Sequence, residues 1–375
     1  MIYFDNAATT KPDSDCLEKA EKYLKEEYFN PSALYAEGFR LNKELRAARE
    51  NILKNIADTQ KFVLEFTSCG TEADNHAVLC GGKRGNVVTT LGEHSAVFSA
   101  VNELKRQGVE VRFAELNADG CVNFAHLLSL IDEKTSFVSV IHVNNETGAI
   151  NDITAIAKEV KARNPKTLFH SDGVQAFGKI QFKLTENIDL YSVSAHKIGG
   201  IKGCGALIKR KSLVLPPYIF GGGQENGARS GTENVFGIKM FEFAALKKYS
   251  CISENLNKVE KIKSTLLQGL DKRLFSCIGS ENSSPYILTL VVDGVRGETV
   301  LHESDDSGLI IGTGSACASN EKNRYSRTIL ACGIDKSKAD GILRLSFSPE
   351  NTIEEAQLAS HILNKIVANR KRIMA

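Results

Sequence analysis

What most constrains this chain is the way short apolar runs and amphipathic stretches take turns over its first two thirds. KFVLEFTS (61–68) predicts a strand, EADNHAVLCGG the helix after it, NVVTT (86–90) a strand, HSAVFSAVNELKRQG a helix and VEVRFAEL another strand. The alternation continues through TSFVSVIHVNNE, DITAIAKEVKARN, KTLFHSD and DLYSVSAH. Strand and helix in regular succession define an α/β fold with a mainly parallel sheet. Ligands of such sheets sit in the turns at the strand ends, so chemistry is sought there.

Two helix-like segments, PDSDCLEKAEKYLKEEYF and SALYAEGFRLNKELRAARENILKNIAD, precede the alternation, the first opening on Pro12 and acidic residues that suit a helix N-terminus. From about Asn234 a charged amphipathic stretch runs to about Asp271 with helical spacing and no turn signal, and reads as a connector. Beyond it, YILTLVVDG (286–294), a helix from about Glu298, GTGSACASN (312–320), ILRLSFS (342–348) and a closing helix from about Thr352 describe a smaller α+β unit. The expected division is a large domain over 12–244 and a small domain made of 1–11 and 245–375.

Composition narrows the function classes. With 375 residues, 42% hydrophobic and 25% charged, the chain is globular and long enough for two domains. A formal net charge of +2 lacks the basic excess of a general nucleic-acid binder. No apolar run reaches the roughly 18 to 20 residues that span a bilayer, and MIYFDNAATT has no signal-peptide pattern, so a cytoplasmic location without membrane contact is expected. The nine cysteines include no C-x-x-C pair, which argues against a disulfide framework or a zinc site, and no metal is expected.

Three strand-end segments carry candidate chemistry. SAHKIGG (194–200) puts Lys197 after an apparent strand, as either a solvated lysine or an amine able to form a Schiff base. HSDGVQ (170–175) ends another strand with Asp172, which is either a strand-end cap or the carboxylate that keeps a pyridine nitrogen protonated. FTSCGTEADN (66–75) is strand, small-residue turn and helix start, so the amides of Gly70 and Thr71 would face an anion, or simply open a capped helix.

Taken in order, YFDNAATT, NPSALYAEG, FTSCGTEADN, GEHSAV, HVNNETG, HSDGVQAFGK, SAHKIGG, GGGQENGARSGTEN, GTGSACAS and LRLSFS resemble the cysteine desulfurases of the NifS/IscS-like family, with the class V aminotransferase fold. The resemblance covers nearly the whole chain. It implies the type I fold of pyridoxal-phosphate-dependent transferases, with pyridoxal 5′-phosphate joined to Lys197 as a Schiff base. It further implies that Asp172 pairs with the pyridine nitrogen, Gln175 contacts the ring hydroxyl and His94 stacks on the ring and carries protons. Gly70, Thr71, Ser194 and His196 would hold the phosphate, and Thr232 would reach the phosphate of the other subunit's site, which requires a homodimer. Asn145 and Arg344 would bind the substrate carboxylate.

The resemblance makes Cys317, in a Gly/Ser-rich stretch, the nucleophile that takes sulfur from L-cysteine, leaves L-alanine and carries a persulfide to an acceptor protein serving iron–sulfur clusters, tRNA thiolation or cofactor synthesis. Read singly, Cys317 is more simply a small loop residue, His94 a structural histidine and Arg344 a surface ion pair. Cys69 departs from the relatives' pattern of non-thiol residues in the phosphate turn and reads as a packing residue or a second thiol near the cofactor. A selenocysteine lyase, a small amino-acid aminotransferase and a catalytically idle sulfur-relay platform are the alternatives.

Overall fold

The computed structural model describes residues 1–280, 282–313 and 325–374. Seven strands form the main sheet: β1 (Phe62–Thr67), β2 (Asn86–Thr90), β3 (Val111–Ala114), β4 (Thr135–Ser139), β5 (Leu168–Asp172), β6 (Leu190–Ser194) and β7 (Gly205–Arg210), in the spatial order β1-β7-β6-β5-β4-β2-β3. Only β7 runs against its neighbours; the pairs from β6 to β3 are parallel. Strands β2 and β6 are buried at every position, their polar residues Asn86, Thr89, Thr90, Ser192 and Ser194 included.

Helices cover both faces. Helix α1 (Ala36–Leu53) buries Leu41, Leu45 and Ile52 on one side with Phe62, Val138, Phe169 and Tyr191. Helices α2 (Gly70–Gly81) and α3 (Ser95–Arg106) bury Ala73, Ala77, Val97, Val101 and Leu104 on the other, with Val87, Phe137 and Leu207. At roughly 25 cal/mol per Å² these apolar faces dominate the cohesion of the layers.

Strand β7 and the connector differ from the sequence expectation. The glycines after Lys197 predict a flexible turn, yet from Gly205 the chain forms β7, antiparallel between β1 and β6. Gly205 makes this possible: a Cβ there would sit 2.6 Å from the carbonyl carbon of Cys69. The connector is two helices, α4 (Val235–Ser250) and α5 (Ile252–Gly269), broken at Cys251 with φ −130° and ψ 26°. Neither glycine nor proline marks the break. It falls where burial changes sides, since Val235, Ile238, Phe241, Ala244 and Ala245 join the core around α1, while Val259, Ile262 and Leu266 join a second core.

That second core lies behind a four-stranded sheet of β8 (Ser276–Ile278), β9 (Ile287–Val291), β10 (Gly312–Thr313) and β11 (Ile342–Ser346), ordered β10-β11-β9-β8. It includes Ile2, Phe4 and Ala7, so the N-terminal segment packs with the C-terminal part of the chain. Ile2–Tyr3 pairs in parallel with Leu309–Ile310, and Asp5 bridges to Ser346. The chain then crosses to the main sheet, where Thr10 N–H donates to the carbonyl of His196 at 3.0 Å. Among the described residues no helix is long and apolar enough to cross a membrane.

Candidate active site

Because six strands of the main sheet run the same way, the turns that follow β1, β2, β4, β5 and β6 open at one edge. They and the N-terminal crossing enclose a cavity of about 290 Å³. Ten of the twelve expected site residues line it: Gly70, Thr71, His94, Asn145, Asp172, Gln175, Ser194, His196, Lys197 and Arg344. Thr232 does not. It is exposed, in a separate depression against Thr67 and Ser68 on the far side of the β1 turn. Cys317 lies outside the described residues.

Lys197 ends a single 3-10 turn, Ala195–Lys197, directly after β6. Its Nζ donates to the carbonyls of Ala7 at 2.6 Å and Ala8 at 2.8 Å, so the crossing segment holds the amine. Gln175 Nε2 donates to the same Ala7 carbonyl at 2.9 Å, and its Oε1 accepts from Lys179 Nζ at 2.7 Å, which fixes the orientation of the amide. Lys179 is fully buried, and burial together with the charge of Lys197 holds its pKa well below the usual lysine range.

Asp172 closes β5. Burial pushes its carboxyl up, while the Val174 N–H, donating to Oδ1 at 2.9 Å, and the nearby Lys197 favour the charged form. His94 caps α3: its Nδ1 accepts from Ala96 N–H at 3.2 Å, so the neutral ring carries its proton on Nε2. Burial first, then the charges of Lys197, Arg327 and Arg344, lower its pKa to about 4. His196 is likewise lowered to about 4, mainly by burial, and its Nδ1 lies 3.1 Å from Thr9 Oγ1.

The turn bearing Asn145 is fastened by its neighbour. Asn144 Oδ1 accepts from the N–H groups of Glu146 and Thr147, and its Nδ2 donates to the Gly92 carbonyl at 2.7 Å. This ties the β4 turn to the β2 turn that carries His94. Arg344, on β11, enters from the second sheet, with Nη2 on Asp5 Oδ1 at 2.8 Å.

The start of α2 has the features of an anion site. The Cys69 side chain makes no capping bond, so the first-turn amides of this 12-residue helix are left for another acceptor. Beside them the buried Ser194 Oγ has no hydrogen-bond partner among the described residues. Gly70 has no room for a side chain, since a Cβ would meet Val174 Cγ2 at 2.8 Å. Sequence reasoning assigned no role to Asp5, Asp74 or the Ala7 and Ala8 carbonyls. The N-terminal contacts are backbone contacts without a side-chain signature, and an acidic residue in a helix's first turns ordinarily signals only the helix dipole.

An edge of parallel strands presenting a lysine, a buried carboxylate, a neutral imidazole and a phosphate-sized donor set is the arrangement of a cofactor-dependent enzyme acting on small anions. The chain belongs to the class-V aminotransferase family, whose pattern matches residues 2–358. It is 34% identical to the cysteine desulfurase IscS of Clostridium botulinum (strain Hall) over all of this chain and 96% of that protein. Among solved structures it is similar to a NifS-like protein, with TM-score 0.91 and 32% identity over 98% of this chain and 99% of that one. It also resembles SspA, solved in complex with cysteine, with TM-score 0.81 and 26% identity over 94% and 100% of the two chains. The family implies pyridoxal phosphate as cofactor.

Proposed function

We infer that the protein is a pyridoxal-phosphate-dependent cysteine desulfurase, converting L-cysteine to L-alanine and releasing the sulfur to an acceptor. The observation that carries this reading is the convergence of Lys197, Asp172, His94, Asn145 and Arg344 on one cavity, in a chain whose full-length relative is a cysteine desulfurase.

The cavity suits the cofactor on its own terms. The unpartnered Ser194 Oγ and the uncapped amides of Gly70 and Thr71 offer donors for a phosphate. Asp172 supplies a buried carboxylate for a pyridinium nitrogen, and Gln175 turns its amide NH2 toward the crossing segment, available to a ring hydroxyl. His196 would flank the phosphate and Thr232 would reach the site of a second copy of the chain, making a homodimer the working form. When bound, the cofactor supplies an electron sink that weakens the Cα–H bond of an attached amino acid.

The chain's own groups do the rest. Lys197 Nζ would hold the cofactor and, when its amine is free, would take the substrate's Cα proton and return it. Arg344 and Asn145 seat the substrate carboxylate, which aims the side chain of the substrate. His94, neutral, would cover the cofactor's ring and offer the Nε2 proton. The thiolate of Cys317 attacks the substrate sulfur: an S–S bond forms, the substrate's C–S bond breaks, its electron pair stays on carbon and is protonated, and alanine leaves with a persulfide on Cys317.

The test is product analysis on the purified, cofactor-loaded protein under anaerobic conditions with L-cysteine and a thiol reductant. Alanine and sulfide in equal amounts support the reading. Pyruvate or a transaminated acid as the carbon product contradicts it, and turnover confined to selenocysteine makes the enzyme a selenocysteine lyase.

A further inference from the structure

One buried acid in the cavity wall has no part in the scheme above. Asp74, on α2, is 1% exposed, and its Oδ1 has no hydrogen-bond partner among the described residues. A carboxylate oxygen of Asp74, one of Asp172 and a ring nitrogen of His94 all lie within 4.8 Å of one another. The side chain that approaches Asp74 with a basic atom is His170, whose Nε2 is 3.6 Å from Oδ1. That ring is fully buried and its pKa is lowered to about 3 by burial, so it brings no charge. Its nitrogens are already engaged with Ser139 Oγ at 2.9 Å and Ser192 Oγ at 3.0 Å.

Two buried carboxyls within 4.8 Å of each other oppose one another's ionisation, which favours keeping one proton on the pair. The surroundings decide which one holds it. Asp172 receives the Val174 N–H and faces Lys197, and both favour its charged form. Asp74 has a hydroxyl neighbour in Ser192, but it also faces the acidic groups of Asp172 at the end of β5, Glu93 from the β2 turn and Cys69 from its own cap. Burial and the charge of Asp172 therefore push the Asp74 carboxyl up. Resting on the reading of this cavity as a pyridoxal phosphate site, we propose that Asp74 is a positioning residue that keeps the pair's proton and so makes Asp172 the single charge presented to the cofactor's ring nitrogen. The two acids look alike in burial and separation yet have opposite duties.

The proton itself is read by infrared spectroscopy on the wild-type apoprotein carrying isotopically labelled aspartate. An aspartate band of the undissociated carboxyl must persist at mildly alkaline pH, where Asp172 and the surface aspartates are ionised. Its absence overturns the proposal, and this readout needs no variant to fold. The duty is read by titrating apoprotein with pyridoxal phosphate and following the visible band of the bound cofactor across pH. Asp74→Asn, permanently neutral, should bind within about threefold of wild type with an unshifted pH profile, whereas Asp172→Asn should lose about a hundredfold or more. Equal losses in both variants, or a shifted profile in Asp74→Asn, contradict the assignment. Wild-type protein that shows no such band at all sinks the cofactor reading and the proposed duty with it, while the labelled-aspartate spectrum still reports whether an undissociated aspartate persists, and its disappearance in Asp74→Asn assigns it to Asp74.

Discussion

Arg344 Nη1 donates to the backbone carbonyl of Asn145 at 3.2 Å, so the two residues proposed to receive the substrate carboxylate are joined before any substrate arrives. They come from different sheets, β11 and the turn after β4. With Nη2 on Asp5, the guanidinium is held by two segments besides its own strand, and its buried Nε has no hydrogen-bond partner among the described residues.

The planar fork is what Lys cannot reproduce. Arg344→Lys should lower kcat/KM for L-cysteine about ten- to a hundredfold, corresponding to loss of one or two charge-assisted hydrogen bonds of ~1.5–3 kcal/mol. Steady-state kinetics should place most of the loss in KM. A loss confined to kcat with KM unchanged would remove Arg344 from substrate binding.

The first helical residue of α2 has no space for a methyl group. Gly70→Ala would bring a Cβ within 2.8 Å of Val174 Cγ2 and 3.4 Å of Ser194 Cβ. Overpacking of this kind costs about 1–3 kcal/mol, and here it also displaces the donors proposed for the phosphate. Pyridoxal phosphate titration should show weakened binding together with a lowered thermal midpoint; full cofactor affinity would contradict the anion site.

Thr232 is exposed and outside the cavity it is proposed to serve, so its role depends on a second chain. Mixing Thr232→Ala protein with Lys197→Ala protein should restore activity, because one site of each hybrid dimer then has both an intact lysine and an intact threonine. Mixtures no more active than their parents after subunit exchange, shown by tagged pull-down, would exclude the shared site.

His142 tests the electrostatics of the core directly behind the cavity, where its backbone N–H donates to the carbonyl of Asp172 at 2.9 Å. It is buried beside Tyr191, with Nδ1 2.8 Å from the phenol oxygen, and burial lowers its pKa from 6.5 to about 3. The folded value lies below the unfolded one, so between these values the unfolded chain binds the extra proton. Stability of wild type relative to His142→Gln should be fully present above pH 6.5 and fall as pH is lowered toward 3, by up to ~1.4 kcal/mol per pH unit. Denaturant melts of the two proteins at several pH values check this, and parallel curves would contradict it.

Much of the architecture is legible because the buried parallel strands are short β-prone runs between turn signals: NVVTT is β2 to the residue, and HSD and SVS end β5 and β6 on Asp172 and Ser194 themselves. The ligand-facing turns follow from those ends. Strand β7 hides behind GIKGCG, where the glycines that signal a turn are there partly so that Gly205 can pass against the Cys69 backbone. The break at Cys251 has no local signal, because it arises from a change in which core the helix faces. Asp74 is written as an ordinary acid one turn into α2, and only its distance from Asp172 makes it unusual.

The most direct test of the account is chemical analysis of Cys317 itself. Cofactor-loaded protein is given L-cysteine anaerobically without reductant, and the peptide bearing residue 317 is weighed by mass spectrometry while alanine is quantified. The account predicts one added sulfur on Cys317 for each alanine formed, with both lost in Cys317→Ala although the visible cofactor band remains. Undiminished alanine and sulfide from Cys317→Ala would contradict it and move the sulfur-accepting step to another group.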